Sequence, residues 1–363
     1  MLRSSLWSVP TVLAIGFAVF SPRVSSAQAA DVKTAGQVYK NVTQLKDIPA
    51  DQLNASMQFI SASLGVDCAF CHVEGKPEAD DKNAKKTARE MIAMQMMINK
   101  ESFRGRTQVT CYSCHRGAAQ PVAIPAVLAV EGEMKPSSAM APPRGGAPQV
   151  TVDQILEKYI NAVGGADAVN KINTRVSKGV IQVAGSETPT EILQKAPNKR
   201  LSISHQQTGD SFTAYDGNGG WMGTAARNRD MAATDAASYA IDAELHFPTR
   251  LKEIFPQLRR GRPETVDGVE CETLNGTTAG RMQVRMYFAK DTGLLTRLVR
   301  YTETPLGRMP VQIDYSDYRD ADGVRIPFKW TLARPAGRFT TQLKEVQSNV
   351  PIDDARFGKP AAK

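Results

Sequence analysis

The sequence predicts an α+β protein: a small helical region first, then a proline-rich segment, then an antiparallel, strongly curved β-sheet carrying helices. Three observations predict it. Apolar residues recur at helical spacing ahead of two short cysteine–histidine motifs between residues 50 and 116. Pro121, Pro125, Pro136, Pro142, Pro143 and Pro148, with Gly145 and Gly146, crowd the next stretch. Short β-rich runs separated by Asp- and Gly-containing turns then follow from Gly179 onward.

The chain opens with Arg3 and an apolar run from Leu6 to Phe20, broken at Pro10 and followed by Ala27-Gln28-Ala29. A basic start, a short apolar core and an A-x-A site make residues 1–29 a cleaved signal peptide. The run is too short to span a bilayer comfortably. The expectation is an exported, periplasmic protein, attached to a membrane only through a partner.

Length and composition bound the rest. A chain of 363 residues with 42% apolar content can build two ordinary cores. The formal charge of +8 comes with no basic stripe interleaved with aromatics, so nucleic-acid binding is excluded. Charge is uneven, however. Residues 30–81 hold four basic and eight acidic side chains, whereas residues 82–116 hold eight basic ones against Glu90 and Glu101. The plain account is a solvated helix face. The sharper one is a docking surface for an acidic redox partner near Lys85, Lys86 and Arg89.

Residues 30–120 read as helices joined by loops. Leu53, Met57, Ile60 and Leu64 form one helical stripe leading into Cys68, and residues 84–99 form a second helix rich in Ala, Lys, Met and Glu. Each helix precedes a C-x-x-C-H motif: Cys68-Ala-Phe-Cys71-His72 and, forty-three residues later, Cys111-Tyr-Ser-Cys114-His115. This is the attachment signature of a c-type haem. Two thiols one helical turn apart can add to the two vinyl groups of one porphyrin, and the adjacent histidine becomes the proximal iron ligand. A thioredoxin-type pair would follow a strand of a βαβ unit, which neither motif does. A four-cysteine zinc site leaves the histidine after each pair unexplained. The predicted cofactors are therefore two covalently attached haem c groups, held by Cys68 and Cys71 and by Cys111 and Cys114, with His72 and His115 on the irons.

A haem that only transfers electrons needs a sixth ligand. The two remaining histidines, His205 and His246, lie beyond the proline-rich segment, whereas methionines precede each motif. Met57 is the sole methionine of its helix; Met91, Met94, Met96 and Met97 are the candidates for the second haem.

The stretches Leu64-Gly-Val-Asp-Cys-Ala-Phe-Cys-His72, Met91-Ile-Ala-Met94 and Val109-Thr-Cys-Tyr-Ser-Cys-His-Arg-Gly117 resemble the photosynthetic reaction-centre cytochrome c subunit family over residues 35–120. In that family each haem unit is a helix carrying a methionine ligand, followed by the attachment motif. The resemblance implies Met57 as ligand of the first haem and Met91 as ligand of the second, with Met94 the runner-up. It also implies single-electron transfer and a partner in a membrane complex. Family members of this type carry four haems, and only two motifs stand here.

Residues 121–150 read as a linker. The second domain, 151–363, starts with Thr151 as N-cap of an amphipathic helix that stops at Gly164-Gly165. Strands are expected at 179–183, 190–194, 200–204, 212–215, 283–288, 294–301 and 311–315, with 231–251 helical or irregular. Turns at Asp216-Gly217, Asp267-Gly268, Asp291-Thr-Gly293 and Asp322-Gly323 separate strands. Strand rhythm and turn placement, with Tyr215-Asp-Gly-Asn-Gly-Gly-Trp221 and Asp322-Gly-Val-Arg-Ile-Pro327, are similar to periplasmic lipoprotein-carrier proteins. That similarity implies an open half-barrel holding a lipid or quinone. His205 and His246 read as structural, Cys271 as a half-buried free thiol, Arg259-Arg260-Gly-Arg262 as a solvated loop, and Trp221 and Trp330 as core or sheet-face residues.

The sequence thus predicts a periplasmic dihaem cytochrome that carries single electrons between redox partners and catalyses no bond-making reaction. Two alternatives stand beside it: a dihaem peroxidase with one open iron site, and a redox-sensing lipid- or quinone-binding protein.

Overall fold

The computed structural model describes residues 33–121, 150–183, 185–334 and 337–360. The predicted signal peptide and all but the ends of the predicted linker lie outside these residues.

Among the described residues, five helices make the N-terminal region: α1 (Ala35–Val38), α2 (Gln52–Leu64), α3 (Cys68–Cys71), α4 (Asn83–Ser102) and α5 (Cys111–His115). The two long ones match the predicted helices. The two short ones are the C-x-x-C turns themselves, and each has a local cause. Asp67 caps α3 by accepting from the Phe70 N–H at 3.0 Å. Thr110 caps α5, with its own N–H donating to Ser113 Oγ at 3.0 Å.

The α2 helix carries two faces. Ser56, Phe59 and Ser63 are its buried line. The predicted stripe of Leu53, Met57 and Ile60 is only half-buried and lies to one side. Gly65 ends the helix at φ +66°. A side chain there would strike the Gly117 carbonyl, because the Gly117 N–H donates to Ser63 O at 2.9 Å. The end of α2 is therefore seated directly on the loop that leaves the second motif.

The remainder begins with α6 (Val152–Ala162), capped by Thr151 as predicted, and α7 (Ala166–Asn170). One antiparallel sheet of fourteen strands follows: β1 (174–183), β2 (186–195), β3 (199–206), β4 (209–215), β5 (220–224), β6 (228–230), β7 (259–260), β8 (264–266), β9 (269–277), β10 (283–289), β11 (295–304), β12 (307–321), β13 (324–334) and β14 (337–348). Its order is β6-β5-β4-β3-β2-β1-β14-β13-β12-β11-β10-β9-β7, an open path in which β1 lies beside β14, with β8 off the path and paired to β9. The helices α8 (Ala233–Ala243) and α9 (Phe247–Ile254) occupy the segment predicted as helical or irregular. The class is α+β with a curved, unclosed sheet.

Every predicted strand is present, extended by a few residues at its ends. The hairpins at Asp267-Gly268 and Asp322-Gly323 have both residues at positive φ, which the two-residue turn requires. The strands not predicted include β5, which holds two glycines in five residues, and β9, β13 and β14, which carry charged residues among their apolar ones. Their pairing partners, and not their own composition, make them strands.

The main core packs α6, α7, α8 and α9 against one face of the sheet, through Ile155, Leu156, Tyr159, Leu251, Phe255, Phe288 and Leu298 among others. A smaller core on the other face joins Leu193, Leu201, Ala214 and Trp221 to Ile352 and Phe357. The Trp221 indole N–H donates to Phe357 O at 3.0 Å.

Two expectations fail here. Cys271 is fully buried, because β9 is covered on both edges by β10 and β8 and packs with Val266, Tyr287 and Val299. Arg259 and Arg260 form β7, not a solvated loop: they pair with Asn275 and Leu274, and Arg260 reaches Glu272 at 2.9 Å.

The β11–β12 hairpin joins the two regions. Its tip places Leu306, fully buried, and Met309 against Leu45, Phe59 and Ile92 of the helical region, with Cys111 at the edge of the same cluster. Gly307 sits at φ +149°, where a Cβ would lie 2.6 Å from the Phe59 ring.

Candidate functional site

A cavity of about 540 Å³ opens beside α2. Cys68, Cys71, His72 and Met57 all line it, with Leu53, Ile60, Val66 and Ile92 among its apolar walls. Four residues that the sequence places in one haem unit therefore meet at one space. The stripe of α2 borders this cavity while also packing at the edge of the Leu45–Phe59–Ile92 cluster, which is why it is only half-buried.

His72 is oriented by its backbone surroundings. Its Nδ1 lies 2.9 Å from Pro77 O. A carbonyl can only accept, so in the neutral ring Nδ1 carries the proton and Nε2 keeps its lone pair for a metal. The second motif repeats the device: His115 Nδ1 lies 3.0 Å from Ala118 O. Burial pushes the thiols of Cys71 and Cys111 up from their ordinary range. All five cysteines are unpaired. Among the described residues no three His, Cys, Asp or Glu side chains gather around one metal-ion position, so the two thiol pairs do not form a four-cysteine site.

The Pro77 carbonyl is itself held. Lys85 Nζ donates to it at 2.9 Å and to Ala79 O at 2.8 Å, and pairs with Asp80 at 3.1 Å. Arg89 pairs with Asp80 at 3.0 Å and donates to Asn41 O at 3.1 Å. Arg89, with Asn41 and Lys85, holds the Asp80 carboxyl well below the usual carboxylate range. This corrects the predicted docking surface. Lys85 is buried, and Lys85 and Arg89 are clasps on the loop after the first motif; Lys86 is the exposed member of the three. Charge counts along a helix do not distinguish a solvated lysine from one turned inward onto carbonyls.

Around the second motif the geometry is more open. Met91, Met94, Met96 and Met97 are all exposed on α4. The C-terminal half of α4 is stitched to the approach to Cys111: Gln95 and Asn99 each donate to Val109 O at 2.7 Å, and Asn99 Oδ1 accepts from the Gln108 and Val109 N–H groups at 3.0 and 2.9 Å. Sequence reasoning missed Gln95 and Asn99, although polar residues at i and i+4 on an otherwise apolar helix face signal such a contact.

The other histidines are accounted for by their neighbours. His246 Nε2 donates to Ile172 O at 2.8 Å, and the exposed His205 pairs with Asp210 at 2.9 Å. Trp330 is half-buried and lines a second cavity inside the curved sheet.

Residues 14–153 match the family model described as photosynthetic reaction centre cytochrome C subunit. The haem-motif region is similar to that family. Among the relatives are reaction center cytochrome c subunits from Thermochromatium tepidum, 35% identical over 104 residues, and from Roseobacter denitrificans, 37% identical over 100 residues. These alignments cover 27% and 24% of this chain and 26% of each relative. The chain thus spans about a quarter of the length of the curated relatives it matches. Solved structures similar to this chain include a LolA superfamily protein from Nitrosomonas europaea, 12% identical with TM-score 0.41, covering 58% of this chain and 99% of that one. A DUF1329 family protein from Desulfovibrio piger is 16% identical with TM-score 0.37, covering 59% of this chain and all of that one. Among the described residues no helix is long and apolar enough to cross a membrane.

Proposed function

We propose that this chain is a dihaem c-type cytochrome that passes single electrons between redox partners on the periplasmic side of a membrane. The observation that carries the reading is the convergence of Cys68, Cys71, His72 and Met57 on one largely apolar cavity. When bound there, haem c supplies a ferric–ferrous couple whose potential the axial ligands tune. The protein's part is to hold the group and exclude water. Cys68 and Cys71 anchor it as thioethers, His72 presents Nε2 while Pro77 O fixes its tautomer, and Met57 offers a thioether from α2. Cys111, Cys114 and His115 do the same for the second group.

Met91 is the second thioether ligand on this reading, and helix geometry supports it over Met94. Met91 precedes Gln95 by four residues and shares its side of α4, the side bonded to Val109 just ahead of the motif; Met94 is about 100° further round. A redox titration followed by optical spectra tests the whole assignment. Two haems per chain, both low-spin and six-coordinate, are expected. A high-spin share in the resting protein would favour the peroxidase alternative and overturn this reading.

Docking of an acidic partner, within a membrane complex, belongs to the same proposal. The contact is now centred on exposed Lys86, since Lys85 and Arg89 are engaged internally. Lys86→Glu is expected to slow electron transfer to such a partner at low ionic strength and to lose its effect as salt is added. Transfer rates indifferent to both would refute the surface.

A further inference from the structure

The concave side of the sheet holds a cavity of about 460 Å³, within the range of small-ligand sites. Its walls differ in character. β1 to β4 supply most of the hydroxyls, Ser177, Thr190 and Ser202 among them, whereas β12 to β14 supply the aromatic residues Trp330 and Phe339 with Leu332, alongside Arg325 and Arg334. A polar row crosses the first wall near the helices: Arg175 pairs in register with Gln194, and Gln194 with Arg200, all three lining the cavity. Neighbouring strands lie about 4.8 Å apart, so the arginines stand about 10 Å apart, on either side of one amide.

Among the described residues no carboxylate forms an ion pair with Arg175 or Arg200. Arg175 Nε is fully buried and has no hydrogen-bond partner among the described residues. Asp322 is the carboxylate that acts on Arg175, and it is engaged by the Ser348 N–H at 3.1 Å without forming an ion pair with the guanidinium. Burial pushes Arg175 down to about 10, the mark of a desolvated cation without full compensation. Arg200 reaches only a backbone carbonyl, Asp242 O at 3.2 Å. By contrast Arg300 in the same cavity is neutralised by Asp242, at 2.8 and 2.9 Å. An unpaired buried cation is costly, and a protein keeps one where a ligand supplies the anion.

We propose that this cavity binds a single-chain amphiphile head first, its carboxylate taken by Arg175, Gln194 and Arg200 and its alkyl chain lying along Leu332, Trp330 and Phe339. The order of contacts follows the register. Arg175 lies at the end of β1 beside α7, whereas Ile181 pairs with Thr341, and Leu332 with Phe339, toward the other end of the strands. Phe339 is exposed there. A neutral lipophile such as a quinone would leave Arg175 desolvated and unpaired, so the anionic head is the discriminating feature. This inference is independent of the electron-transfer reading, because its test reads binding and not redox chemistry.

Titration calorimetry of the haem-loaded full chain with laurate, dodecanol and acetate, below micelle-forming concentrations, tests it. Laurate is expected to bind about tenfold or more tighter than dodecanol, since a charge-assisted hydrogen bond contributes about 1.5–3 kcal/mol and tenfold corresponds to about 1.4. Acetate, lacking the chain, is expected to bind more weakly still. Arg175→Met should erase the preference for laurate over dodecanol while leaving dodecanol affinity unchanged. It should also leave the ligand-free protein as stable as before or more so, which a structural arginine would not allow. Equal affinity for laurate and dodecanol in the unmodified protein, or no binding of either, overturns the proposal without recourse to any variant.

Discussion

Met57→Ala is expected to remove the far-red sulfur-to-iron band of one haem, to lower that haem's potential, and to leave the other haem unchanged. Thioether ligation favours ferrous iron, so its loss stabilises the ferric state. Met57 is half-buried on α2 and faces the cavity, whereas the buried line of the helix is Ser56, Phe59 and Ser63. The substitution leaves that buried line intact and trims only a partly buried contact at the edge of the Leu45–Phe59–Ile92 cluster, so the fold should hold. Met57→His should restore a six-coordinate spectrum at a potential below that of the unmodified protein. A wild-type spectrum and titration curve in Met57→Ala would remove Met57 from the ligand set and with it the strongest part of the proposed haem geometry.

Leu306→Ala should lower stability by about 2–5 kcal/mol, the usual cost of emptying a fully buried leucine site. The effect belongs at the upper end for a structural reason. Leu306 sits at the tip of the β11–β12 hairpin, against Phe59 and Ile92, in the cluster that joins sheet and helical region. The tip cannot readily collapse into the space, because Thr304 Oγ1 accepts from the Leu306 N–H at 3.3 Å and donates to Gly307 O at 2.7 Å, which fixes the turn. Urea unfolding of the haem-loaded protein measures it. A loss below about 0.5 kcal/mol, the level of an ordinary surface substitution, would mean that the hairpin tip contributes nothing to joining the regions.

The same cluster bears on domain organisation. The composition of residues 121–150 suggests two bodies on a tether, and the cut between residues 120 and 151 is retained here as a proposal. Contacts that cross it come from Leu306 and Met309, in a hairpin whose sequence, Thr304-Pro-Leu-Gly307, reads only as a turn. Nothing in a turn signal says what its tip will touch.

What the sequence by itself determined is local chemistry. The spacing Cys68–Cys71–His72 and Cys111–Cys114–His115 is set by one helical turn. Helical periodicity located α2, α4 and α6, and Asp-Gly pairs located the turns at 267–268 and 322–323, though not the β8, β9 and β13 strands that flank them. Even the stripe of Leu53, Met57 and Ile60 was legible as a stripe. What it meets was not, since it borders a cavity and the edge of the Leu45–Ile92–Leu306 cluster, while the fully buried line of the helix is built from two serines and one phenylalanine.

Only the tertiary structure decided the remaining questions, and each for the same physical reason: the deciding partner is distant in sequence. Lys85 reads as a docking charge until the Pro77 and Ala79 carbonyls and Asp80 are seen around it. Cys271 reads as half-exposed until β8 and β10 close over β9. Arg175, Gln194 and Arg200 lie on three strands with unremarkable spacing, and antiparallel register alone sets them side by side. Periodicity reports which residues share a face, but burial and charge compensation are properties of what that face meets.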